Sequence, residues 1–181
     1  GSDPGSVGST ALQEKEPNLD IGLKLKSCLQ NADVMVNMTR SGDVFFSLDD
    51  RNDTTIYYRP TLFVSIHNNA PDSLQFGTET YTTSINYYAL EDSLAHKTQS
   101  EVQSVVLEYD RGVKRKNFQV LRHSLNGNTD GILCEVTFIA HASSEARLRQ
   151  DSFKQAVAEA MKKAILKVLV EDITYPKQPN P

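Results

Sequence analysis

Two spacings organise the apolar residues of this chain. Short runs such as "DVMVNMT", "TLFVSIH", "QFGTETYTT", "FQVLR" and "GILCEVTFI" are rich in β-branched and aromatic residues and read as strands. Longer stretches repeat their apolar positions every three or four residues and read as helices. The clearest is "DSFKQAVAEAMKKAILKVLVED", with Phe153, Val157, Met161, Ala164 and Val168 on one stripe. A second helix is expected over Pro17–Gln30, with Leu19, Leu23, Cys28 and Leu29 sharing a face, and a third from Tyr88 to Leu107 on Leu94, Thr98, Val102 and Val105. Ser47 or Asp49 is placed to cap a helix that must stop before Pro60, because the residue preceding a proline is driven out of the helical region. "SSEARLRQ" reads as a short helix, and "DRGVKRKN" as a turn carrying a cationic cluster. The opening "GSDPGSVGST" reads as loop.

Strands alternating with helices predict an α/β fold: a single domain with a twisted, mixed or mostly parallel sheet and helices on both faces. Leu62–Ile66 and Ile132–Phe138 are expected as interior strands, with Asp151–Val170 packed across a face. The domain is expected to span 1–172, and the proline-rich 173–181 reads as a linker or frayed end.

Bulk properties change this picture little. A length of 181 residues supports one domain with a real core. The net charge of −4 supplies no general basic field for nucleic acid. No apolar run approaches the roughly 18 residues needed to span a membrane. The two cysteines, Cys28 and Cys134, sit in apolar patterns and read as buried thiols rather than a disulfide framework or a zinc–cysteine site. No feature sets an oligomeric state, and a monomer is the expectation.

Polar residues that fit no core point to chemistry. "LFVSIHNNA" runs apolar and then turns to His67, Asn68 and Asn69, and strand ends of this kind form ligand sites in α/β sheets. Glu135 lies among apolar neighbours in "GILCEVTFI". Burying a carboxylate there is costly unless it is paired, hydrogen-bonded or protonated. One reading pairs it with Arg40 or Arg122; the other makes it a general acid or base. His67 is either a hydrogen-bonded structural residue or a metal ligand, which would need partners. Glu14 is an ordinary first-turn acid or an oxygen ligand. His123 and His141 are candidates for the same rim, while His96 belongs on a helix surface. Arg111, Lys114, Arg115 and Lys116 form either a solvated turn or an anion contact.

The order of these segments resembles the zinc-dependent N-acetylmuramoyl-L-alanine amidases, which cleave peptidoglycan. The matching stretches are "GSDPGSVG", "EKEPNLDIGLKLK", "VNMTRSGDVFFSLDDR", "LFVSIHNNA", "GTETY", "DRGVKRKNFQVLR" and "CEVTFI". The resemblance implies a Zn²⁺ ion held by Glu14 and His67, a catalytic Glu135, and a substrate surface to which Asn69, Arg111 and Lys114 are assigned. It implies peptidoglycan, the muramyl stem peptide, as partner, and an extracellular or cell-envelope (cell wall or periplasm) location. The family's other zinc histidine lies in a His-Gly-Gly turn just before the "SDPG" segment, so the chain is expected to be N-terminally incomplete. That departure opens a second reading, an inactive binding or regulatory module; a third is a metal peptidase of free peptides. Thr137 stands where the family has glycine, and Ala140-His141 where it has Ser-Asn.

Overall fold

A computed structural model describes residues 1–70, 74–85, 89–126 and 129–174, the side chains of 123–126 and 174 excepted. Among them lie helices α1 (Lys15–Gln30), α2 (Leu48–Tyr58), α3 (Ala89–Val106), α4 (Ala142–Leu148) and α5 (Asp151–Val168). The strands are β1 (Leu62–Asn69), β2 (Thr78–Thr82), β3 (Asp110–Arg115) and β4 (Asp130–Phe138). A 3₁₀ helix covers Gln119–Asn126, and a π turn, Leu169–Thr174, extends α5 into the stretch expected as tail. The rest of that tail, 175–181, lies outside the described residues.

The sheet order is β1-β4-β2-β3. β1 pairs with β4 and β2 with β3 in parallel, and β2 meets β4 antiparallel, so the sheet is mixed, as expected. Alternation along β4 divides two environments. Ile132, Cys134 and Val136 join the main core under α1, α3 and α5, to which α5 contributes Phe153, Val157 and Met161 from its expected stripe. Leu133 points to the other face and packs with Val120, Leu121, Phe63, Tyr81 and Phe118. That smaller cluster lies beneath the 3₁₀ helix, against which α2 packs. Both cysteines are buried and free.

Helix boundaries follow local chemistry. Ser47 and Asp50 form a reciprocal capping box at the start of α2, and Arg59 ends the helix in the left-handed region just before Pro60. On α1 the buried stripe is Ile21, Leu25, Cys28 and Leu29, while Leu23 faces solvent, so the expected face keeps Cys28 and Leu29 and is corrected to Ile21 and Leu25 in place of Leu19 and Leu23.

Four further expectations are corrected. The segment 33–39 forms no strand, and it opens on Asp33 at a left-handed φ of 58°. Val34, Val36 and Met38 line a groove of about 540 Å³ together with Leu62, Val64 and Ile66, and no ladder joins this segment to β1. β1 lies at the sheet edge and is mostly half-buried, so of the two strands expected inside the sheet β4 is interior and β1 is not. "FQVLR" winds into the 3₁₀ helix instead of a strand, because Val120 and Leu121 both turn into the smaller cluster. "DRGVKRKN" supplies β3 rather than a turn: pairing with β2 extends it, and Gly112 takes the positive φ of 71° within the strand.

Candidate active site

The register of the sheet sets His67, Glu135 and Glu79 side by side. His67 is the Cα partner of Glu135 across β1 and β4, and Glu135 that of Glu79 across β4 and β2. Cross-strand partners project to one face, so the three side chains form a row on the side away from α1, α3 and α5. Glu14, just before α1, extends the row at one end, and Arg111 and Lys114 of β3 extend it at the other.

At the first end, Glu14 Oε1 lies 2.8 Å from His67 Nδ1. The same carboxylate accepts from the backbone N–H of Asn68 at 3.1 Å and of Ser6 at 2.8 Å, and from Asn18 Nδ2 at 3.0 Å. It therefore ties the N-terminal loop, α1 and the end of β1 to one point. Gly5 makes this possible, since its φ is +66° and a Cβ there would lie 2.7 Å from Glu14 Oε2. Burial would raise the Glu14 carboxyl, but the hydrogen bond and charge of His67, with the other donors, bring it down to about 2. Burial disfavours the imidazolium of His67, and Glu14 outweighs it, so His67 is raised.

Glu135 differs. Its Oε2 is buried and has no hydrogen-bond partner. Burial pushes the carboxyl up to about 7; His67 opposes that shift, and the charges of Glu14 and Glu79 add to it. Neither arginine weighed as its counter-ion is engaged with it. Arg40 donates to the carbonyls of Lys15 at 2.7 Å and Gly42 at 3.2 Å, and Arg122 donates to Asn117 Oδ1 at 3.3 Å.

At the far end Glu79, 2% exposed, is saturated. Oε1 accepts from Asn69 Nδ2 and from the Tyr81 hydroxyl, each at 2.8 Å. Oε2 accepts from Arg111 Nε at 2.8 Å and from Lys114 Nζ. Against the upward push of burial, Lys114, Arg111 and Tyr81 hold its carboxyl below the ordinary value.

Residues 1–167 match the family model Amidase_3, described as N-acetylmuramoyl-L-alanine amidase. The chain belongs to this amidase family. It is 34% identical over 160 residues to N-acetylmuramoyl-L-alanine amidase LytC of Bacillus subtilis, covering 88% of this chain and 32% of that protein. It is 32% identical over 166 residues to the probable cell wall amidase LytH of Staphylococcus epidermidis, covering 89% of this chain and 52% of that one. It thus spans about a third to a half of these curated relatives. The crystal structure of N-acetylmuramoyl-L-alanine amidase from Clostridium difficile superposes with a TM-score of 0.87 at 31% identity, covering 94% of this chain and 92% of that one.

The fold thus brings together Glu14, His67 and Glu135, and separately Asn69, Arg111 and Lys114. His141 stands apart, before α4, with its ring 5.6 Å from Phe76 and Nδ1 3.0 Å from Ser143 Oγ. His96 is exposed on α3, as expected. The side chain of His123 lies outside the described residues. Thr137 donates to Glu108 Oε2 at 2.7 Å, which accounts for a hydroxyl at that position. Among the described residues no three His, Cys, Asp or Glu side chains are grouped to hold a metal ion. The converging donors of Glu14 and His67 fit two positions of a tetrahedral zinc site.

Sequence reasoning missed Glu79. "QFGTETYTT" reads only as a strand, with no role given to its acid. The available signal was its alternation with Tyr81, which places both on one face beside an aromatic cluster.

Proposed function

We propose that this chain is the catalytic part of a peptidoglycan hydrolase of the cell envelope. The bond cleaved is the amide between the lactyl group of N-acetylmuramic acid and L-alanine of the stem peptide. The observation that carries the reading is Glu135: a buried carboxyl with one unpartnered oxygen and a proton affinity near neutrality, in register with His67 on an open face. A general base operating near pH 7 needs such a group.

Glu14 and His67 would hold a zinc ion, which when bound polarises the scissile carbonyl and acidifies water. The Glu135 carboxylate takes a proton from the attacking water, whose oxygen bonds to the carbonyl carbon. The C–N bond then breaks, and Glu135 returns the proton to the departing alanine nitrogen. The products are a muramic carboxylate and a free amino terminus. Asn69, Arg111 and Lys114 lie farther along the row, where the stem peptide would run.

Incubation with purified sacculi tests the proposal. New alanine amino termini should appear, a chelator should suppress them, and a short free peptide without muramic acid should stay intact. Cleavage of the free peptide alone would favour the peptidase reading. Binding to sacculi with no new amino termini at any zinc concentration would favour an inactive module, a reading to which the amidase names of LytC and LytH lend no support.

A further inference from the structure

Glu79 collects donors from three strands: Asn69 from the end of β1, Tyr81 from β2, and Arg111 and Lys114 from β3. One buried anion facing two cations leaves one positive charge in excess. The carboxylate itself is closed off at 2% exposure, while the Arg111 and Lys114 side chains keep 26% and 38% of theirs. An approaching ligand therefore meets the cations and not the acid that holds them. Both are fixed on further sides. Arg111 Nη2 reaches Gln75 Oε1 at 3.2 Å and its guanidinium lies 4.9 Å from the Phe138 ring centre. Lys114 Nζ lies 5.8 Å from the Tyr81 ring centre.

We infer that Glu79 is a positioning residue: it holds Arg111 and Lys114 as a fixed cationic edge that receives the free carboxylate of the second stem-peptide residue. This rests on the amidase reading and deepens it. Adjacent strands stand about 4.8 Å apart, so the edge on β2 and β3 begins roughly 5–10 Å from Glu135. An extended residue spans about 3.3–3.6 Å. With the scissile amide at Glu135, the alanine fills the first interval and the carboxylate of the next residue reaches the cations. Fixing both cations beforehand removes the ordering cost that a flexible lysine would otherwise carry into binding.

The test uses N-acetylmuramoyl-L-alanyl-D-isoglutamine and its free-acid counterpart, which differ by one carboxylate in place of an amide. Kd by calorimetry, and KM and kcat, are measured on zinc-loaded wild type, Glu79→Gln, Lys114→Met and the double variant, with thermal melts on each. Wild type should bind the acid roughly three- to tenfold tighter than the amide, a preference that salt weakens. Glu79→Gln and Lys114→Met should each abolish the preference, acting on KM far more than on kcat. The double variant should lose no more than either single one, because all act through one edge. Glu79→Asp, which keeps the charge, should restore part of it. Equal binding of acid and amide by wild type, or a preference that survives Lys114→Met, overturns the inference even where Glu79→Gln fails to fold. A folded Glu79→Gln that keeps the preference overturns it too. Cleavage of neither compound removes the amidase reading, and the Kd comparison then still decides the cationic edge separately.

Discussion

Glu79 and Glu135 face each other across an antiparallel pair, Glu79 buried and Glu135 half-buried with its Oε2 closed off, and their surroundings treat them in opposite ways. Around Glu79, four donors saturate the carboxylate and hold its carboxyl below the ordinary value. Around Glu135, an oxygen is left without a partner and burial carries the carboxyl up to about 7. A fully satisfied buried acid is a fixed charge and organises its neighbours. A buried acid left short of donors exchanges its proton near neutrality, which is a cost to stability and a requirement for acid–base work. One strand spacing separates a carboxylate held as a fixed charge from one raised to about 7.

The sharpest way to break this contrast is Glu135→Gln. The change keeps shape and removes the proton carrier. Turnover of sacculi by the zinc-loaded protein should drop by about 10²–10⁴, while the melting temperature should not fall, since no counter-ion is stranded. A variant that melts early but retains full turnover per folded molecule would remove Glu135 from the mechanism.

A second test extends the comparison to a saturated acid outside the row. Glu145 accepts from the Thr10 N–H and hydroxyl, the Leu12 N–H and the Ser9 hydroxyl. Burial would raise its carboxyl, but these bonds bring it from the ordinary 4.5 to about 2. Between those values the unfolded chain binds more protons than the folded one, so this stabilisation is complete above about pH 5 and is lost as pH falls toward 2. Glu145→Gln should cost on the order of 1–3 kcal/mol at neutral pH and leave a flatter acid limb in melts between pH 7 and pH 3. Parallel acid limbs in the two proteins would show that the clamp on residues 8–12 carries no charge-dependent stability. The smallest effect belongs to Arg122→Gln. Because Arg122 lies against Asn117 and not Glu135, stability should stay within about 0.5 kcal/mol of wild type.

What the sequence discloses follows the range of the interaction. The stripe of α5 and the capping of α2 are local, and both stood in the chain as periodicity and turn chemistry. Glu135 was conspicuous because its immediate neighbours are apolar. Its relation to His67 and Glu79 depends on register between strands distant in sequence, which no single segment encodes. The cations of β3 resembled a turn because Asp110-Arg111-Gly112 is turn-like by itself, and only the β2 ladder extends it. The edge position of β1 was hidden for the same reason: Leu62–Ile66 is apolar enough for an interior strand, and its neighbour decides the outcome.

That edge has a consequence for hydrogen exchange. In a parallel ladder alternate amides of an edge strand turn away from the partner. The half of β1 amides facing β4 should be protected to nearly the level of the interior strand, while those facing the groove should trade deuterium far sooner. A mass-resolved exchange map would therefore read alternating fast and slow sites along eight consecutive residues, Leu62–Asn69, with the His67 end tied down where Glu14 holds the Asn68 N–H.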